Sequence, residues 1–164
     1  MSIILGKEED YLGNVEVQGK VTLVPQEIKY DPVMDSAKNV REYVDPAGTL
    51  QDFEIHKMFK GLELDVPLDE DPKSQSGGQK TKLALAMALF QKPDLLLLDE
   101  PTTYLDVMSQ RIILEALKTY RGTMIFVSHT PEFVKELKPN KAFIFPEQKM
   151  VLWDDELLDR ASEI

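Results

Sequence analysis

The strongest event in the pattern of apolar and polar positions is the run Leu95-Leu96-Leu97-Leu98, which breaks abruptly into Asp99-Glu100. An unbroken aliphatic run predicts a strand buried on both faces, as in a parallel sheet covered by helices. Thr123–Val127 predicts a second buried strand, ending in Ser128-His129. Earlier, residues 15–17 and Val21–Val24 read as short strands joined across Gln18-Gly19-Lys20. Pro25 closes the second of these and leaves Gln26 at its mouth. Between them and the leucine run the period changes to a helical one. Residues 35–62 carry an apolar stripe of Ala37, Val40, Tyr43 and Val44 and another of Phe53, Met58, Phe59 and Leu62, punctuated by Pro46 and Gly48. Residues 65–74 form a polar, proline-bounded loop.

A helix is then predicted from near Gly77 to Phe90, with Leu83, Met87 and Phe90 on one face and Pro93-Asp94 ending it. Residues 107–120 predict another, with Ile113, Leu114 and Leu117 inward. Residues 142–145 and 150–153 read as closing strands, followed by a short acidic helix from Asp154. Strand and helix alternate through the second half, which argues an α/β fold with parallel strands. The middle helical block reads as an inserted layer.

Composition narrows the picture modestly. At 164 residues the chain suits a single domain with a real core, and 43% apolar and 29% charged residues describe an ordinary soluble globular protein. The longest pure aliphatic run is far short of the ~20 residues that span a bilayer. The first residues carry no basic leader of a secretion signal. The absence of cysteine excludes disulfides and thiolate metal sites and sits well with a reducing cytosol. A net charge of −10 argues against holding nucleic acid by bulk electrostatics and leaves only a local basic patch able to do so.

Candidate chemistry collects at the ends of the predicted elements. Ser76-Gly77-Gly78-Gln79 directly precedes a helix; paired glycines let a backbone approach an anion closely, and a helix N-terminus carries about half a positive charge. The plainer reading is that Ser76 caps the helix. Asp99 and Glu100 divide naturally into a magnesium-holding acid and one that orients or deprotonates a water. The second Asp-Glu pair, Asp69-Glu70, has no buried run leading into it and reads as a solvated loop. His129, at a strand's end, suits a γ-phosphate or a polarised water; its plainer reading is structural. Gln26 can reach a metal or water from its own strand end. Asp106 reads as a cap for the helix from Val107. His56 has no companion motif and reads as surface or core filling.

In this order, the string from Ser76-Gly77-Gly78-Gln79-Lys80-Thr81-Lys82 through Lys92-Pro93-Asp94 to Leu98-Asp99-Glu100-Pro101-Thr102 resembles the ATP-binding cassette (ABC) ATPases. Lys80-Thr81-Lys82 and the threonine after Pro101 are most similar to the ABC-F branch, twin-cassette proteins without transmembrane domains. The resemblance implies a P-loop NTPase-like cassette with a mostly parallel sheet flanked by helices. It implies one partial ATPase domain over 1–164, with a helical subdomain at about 27–92 and a sheet lobe of 1–26 and 93–164. It also assigns roles. Gln26 would contact Mg²⁺ or the attacking water, and Asp99 would hold Mg²⁺. Glu100 would be the catalytic base and His129 the switch histidine. Ser76, Gly77, Gly78 and Gln79 would grip the γ-phosphate of ATP bound on a second cassette, and Asp106 would cross that dimer interface. Binding closes such a dimer and hydrolysis opens it.

The chain departs from the family pattern at three places. Gln75 stands where leucine usually precedes the serine, and Thr103-Tyr104 where the branch has Asn-His. No Gly-x-x-x-x-Gly-Lys-Ser/Thr loop, which cradles the phosphates, occurs in the sequence. Residues 1–6 read as the tail of the helix that such a loop opens. The expectation is a cytoplasmic, ABC-F-like ATPase fragment that drives a conformational change on a ribosome and hydrolyses ATP poorly alone. Two alternatives are the ATPase subunit that serves transmembrane transporter subunits, and a non-catalytic module that donates half a site to a full cassette. In none of these is the chain itself inserted in the membrane.

Overall fold

A computed structural model describes residues 4, 13–26, 31–103, 105–144 and 149–161, and the expected helix tail at 1–6 therefore lies, Ile4 apart, outside the described residues. The chain divides into two compact units, residues 1–127 and 128–164.

Among its described residues the first unit is built on three parallel strands, β1 (Val21–Val24), β2 (Leu95–Asp99) and β3 (Thr123–Val127), in the order β1-β2-β3. Val24 lies opposite Leu98, and Asp99 opposite Val127. The leucine run forms the central strand, and Leu96, Leu97 and Leu98 are each 0% exposed, as a doubly covered strand requires. The start of β2 is pinned to the chain before β1. Lys20 N–H donates to the Asp94 carboxylate at 2.7 Å, while the Asp94 and Leu95 amides donate to Lys20 O. Gly19 is required there: its φ is +95°, and a Cβ would stand 2.5 Å from Asp94 Oδ2.

The helical block is less continuous than its periodicity predicts. In place of the predicted block over 35–62 stand three helices, α1 (Pro32–Ser36), α2 (Val40–Val44) and α3 (Asp52–Gly61). Asp31 and Asn39 cap the first two through their side chains, accepting from Val33 N and Glu42 N. Such local side-chain bonds offer the backbone an exit from the helix that apolar spacing cannot reveal. The predicted stripe of Ala37, Val40, Tyr43 and Val44 is buried. In the second stripe Phe59 and Leu62 are buried, but Phe53 is 70% exposed. Tyr43 turns its hydroxyl to Asp31 at 2.9 Å; burial, then the Asp31 charge and this bond, push its pKa far above the usual phenol range.

After a 3-10 turn at Pro72–Ser74, α4 (Gly77–Phe90) packs along β1 and α2 and buries every residue from Lys82 to Met87 and Ala88. This burial is broader than the single predicted face. α5 (Val107–Lys118) turns Ile113, Leu114 and Leu117 inward as expected.

Two strand predictions fail in this unit. Residues 15–17 form no strand; 14–18 are irregular and exposed, between Gly13 and Gly19 at positive φ. β3 is not buried on both faces: it is the sheet's last strand, and Ile125 and Val127 are 41% and 43% exposed. Among the described residues no strand pairs with its outer edge. The strand also lacks charge and proline, the usual protections of an edge. Concentration-dependent self-association is therefore expected in sedimentation. Ile125→Lys should shift the protein towards monomer without loss of helical signal, and a wild-type chain that stays monomeric at high concentration would contradict this.

The second unit contains α6 (Pro131–Leu137), an antiparallel hairpin of β4 (Lys141–Ile144) and β5 (Lys149–Leu152), and α7 (Glu156–Ala161). In the hairpin Phe143 lies opposite Met150 and Lys141 opposite Leu152. These elements match the predicted closing strands and acidic helix to within two residues.

Candidate functional site

Because β1, β2 and β3 run parallel, their carboxyl ends share one edge, where ligands of open α/β sheets collect. Gln26 lies two residues beyond β1 and is exposed. Asp99 closes β2 half-buried, and Glu100 follows at 7% exposure. Glu100 adopts φ +48°, a left-handed conformation that costs a non-glycine residue about 1–2 kcal/mol. Its amide donates to Val127 O at 3.0 Å, which ties the turn to the end of β3. Thr103 N–H returns to Glu100 O at 3.1 Å, and Thr102 is buried at 3% exposure. A tight, strained turn thus fixes the second acid at the mouth of the sheet. His129 lies two residues past β3 and belongs to the second unit.

Ser76 is the N-cap of α4, in a reciprocal capping box. Gln79 N–H donates to Ser76 Oγ at 3.3 Å, and Ser76 N–H donates to Gln79 Oε1 at 3.0 Å. Ser76 and Gly77 remain exposed. A Cβ on Gly78 would meet Leu105 Cδ2 at 3.5 Å, so the start of α4 lies beside the segment that follows β2. Asp106 is the N-cap of α5 and accepts from Ser109 N at 2.9 Å and Ser109 Oγ at 2.8 Å. The capping reading of Ser76 and Asp106 is therefore correct for both.

The Ser109 hydrogen bonds, backbone first, lower the Asp106 pKa from its ordinary 3.8. A lowered folded-state pKa contributes stability that is complete well above 3.8 and lost as the pH falls below it. Protection of the Ser109 amide, taken against its intrinsic exchange rate at each pH, should fall on acidification through that range, and Asp106→Asn should flatten the dependence.

Gln75, the departure before the serine, points into the protein's own loop. Its Nε2 donates to Glu70 Oε2 at 3.0 Å, while Glu70 O and Leu68 O accept from the Val40 and Arg41 amides at 2.8 and 2.9 Å. The glycine turn is thereby tied to the amino end of α2. No periodicity or motif announces this link.

The acid pair suits magnesium of one kind only. That ion is usually held by one or two carboxylates plus waters and substrate phosphates. Among the described residues no group of three or more His, Cys, Asp or Glu side chains could hold a metal unaided. Asp99 fits the protein's share of a site whose remaining ligands are waters and phosphates, which leaves Glu100 beside it to another task. The sequence has no glycine-lysine loop to cradle those phosphates.

The ABC transporter family profile matches residues 2–103, more than half of the chain. The chain belongs to the ABC family of ATPase domains. A protein of Archaeoglobus fulgidus named as an ABC transporter ATP-binding protein is 28% identical over 172 residues, covering 100% of this chain and 65% of its own length. Elongation factor 3B of Saccharomyces cerevisiae is 40% identical over 89 residues, which are 54% of this chain and 8% of the factor. An archaeal ribosome recycling factor, solved in complex with a ribosomal stalk protein, superposes with a TM-score of 0.71 at 25% identity, over 91% of this chain and 30% of its own. The chain spans just under two thirds of the first relative and less than a tenth of the elongation factor. The parallel sheet flanked by helices is the ABC cassette fold. Among the described residues no helix is long and apolar enough to cross a membrane.

Proposed function

We propose that this chain supplies the acid pair and the glycine turn of an ABC-F-like, cytoplasmic ATPase whose work is a conformational change on the ribosome. Residues 27–92 serve as its helical subdomain, and 1–26 with 93–164 as its sheet lobe. One observation carries the reading: the strained turn holds buried Glu100 beside Asp99 at the carboxyl edge of the sheet. ATP, when bound, supplies the phosphoanhydride whose hydrolysis drives the motion. Asp99 would hold Mg²⁺, with Gln26 on the ion or the water, and a Glu100 carboxylate oxygen would take the proton of the water that attacks the γ-phosphorus as ADP leaves. His129 donates to phosphate. Ser76, Gly77, Gly78 and Gln79 offer a hydroxyl and a helix N-terminus to the triphosphate of a second cassette, with Asp106 at the interface between the two.

The exposed Ser76-Gly77 turn also supports half-site donation to a complete cassette. The test mixes this chain with a complete ABC-F cassette and measures ATP turnover. Stimulation is expected. Ser76→Asp should abolish it with stability retained, because aspartate caps a helix as well as serine does but repels phosphate. Unchanged stimulation by Ser76→Asp would remove the proposed role. The name of the Archaeoglobus relative supports a second reading, the ATPase subunit of a transporter. Co-sedimentation with ribosomes or with membranes separates the two.

A further inference from the structure

One face of α3 plays no part in the ATP-directed reading. Phe53, His56, Lys57 and Lys60 are all exposed, Phe53 at 70%. Their spacing (i, i+3, i+4, i+7) places them on one side of the helix, while Ile55 and Phe59 are buried on the other. The acids of the first turn are engaged elsewhere: Asp52 pairs with Arg41, and Glu54 accepts from Gln51 N–H at 2.8 Å. Among the described residues neither Lys57 nor Lys60 forms an ion pair. On a chain of net charge −10, this is a local stripe of opposite sign beside a protruding aromatic ring.

We propose that this face of α3 binds single-stranded RNA, with Phe53 stacking on an unpaired base and Lys57 and Lys60 meeting backbone phosphates. The cationic stripe calls for an anionic partner, and the single ring decides which kind. A protein interface needs an apolar core within about 800 Å² per side, and this helix face offers one large apolar side chain. Binding of single strands needs only a ring for each base and cations along the backbone. Duplexes hide their base faces, whereas RNA loops and ends expose them. From Phe53 to Lys60 the helix rises about 10 Å, which suits a contact of a few nucleotides. The proposal requires no nucleotide at the acid pair and so stands apart from the ATP reading.

Fluorescence anisotropy of a labelled oligoadenylate, titrated at low salt and without ATP with the full chain, tests it. Saturable binding is expected, weakened about tenfold or more by Phe53→Ala, the usual cost of losing a stacked base. Lys57→Gln with Lys60→Gln should lower the salt dependence by about 1.4 in log–log slope, for two lost phosphate contacts on a single strand. All three positions are exposed, so circular dichroism should show the fold unchanged. Absent saturation, binding indifferent to these substitutions, or equal displacement by a polyglutamate peptide would overturn the proposal.

Discussion

Assayed alone, the 164-residue chain should turn over ATP at least about a thousandfold more slowly than a complete ABC cassette. Electrostatic positioning of the phosphates is the main catalytic contribution in phosphoryl transfer, and losing one such element usually costs several kcal/mol. The acid pair is in place here, but the sequence contains no Gly-x-x-x-x-Gly-Lys-Ser/Thr loop to present phosphates to it. Glu100→Gln should consequently cause no further loss in the isolated chain. The same substitution at the matching acid of a complete cassette should remove two to four orders of magnitude, the usual span for a general base. Steady-state phosphate release measures both. Robust turnover by the chain alone, lost in Glu100→Gln, would overturn the prediction.

Leu97→Ala should cost about 2–5 kcal/mol, read as a shift in the urea midpoint. Leu97 is the middle residue of the central strand, is 0% exposed and lies opposite Leu23. A cavity there is hemmed in by the neighbouring strands and by full cover on both faces, so collapse recovers little. Against the 5–15 kcal/mol typical of a domain, the loss is a large share. Leu95→Ala, on the less buried first position of the same strand, should cost clearly less, and equal effects would mean that burial does not govern this strand.

The central strand was legible because doubly covered strands and amphipathic helices write their environment into residue order. β2 and α5 follow that rule. β3 has the same apolar text as β2, yet its exposure depends on what lies beside it, which no local pattern encodes. Residues 15–17 have strand-forming valines but find no ladder partner among the described residues. The helical block split because Asn39 and Asp45 divert backbone donors, and Phe53 left its stripe because its spacing from Phe59 within α3 turns it to the other side of the helix.

The positions of the acid pair and of the glycine turn were visible as abrupt changes from apolar to polar text at the ends of elements. Their geometry was not. Nothing in the letters foretells that Glu100 takes a left-handed backbone, that Gln75 reaches Glu70, or that Gly19 yields space to the Asp94 carboxylate.

A hydroxyl carries one proton and two lone pairs. The first turn of α4 draws only on a lone pair of Ser76, through the Gln79 amide, so the proton remains available to point outward. Closing the helix and offering a donor to an incoming anion are therefore compatible demands on a single atom. Threonine could meet both; asparagine would need its amide end for the second, and an ionised aspartate has no proton to give. The residue choice at this position is thus narrower than helix capping alone would impose.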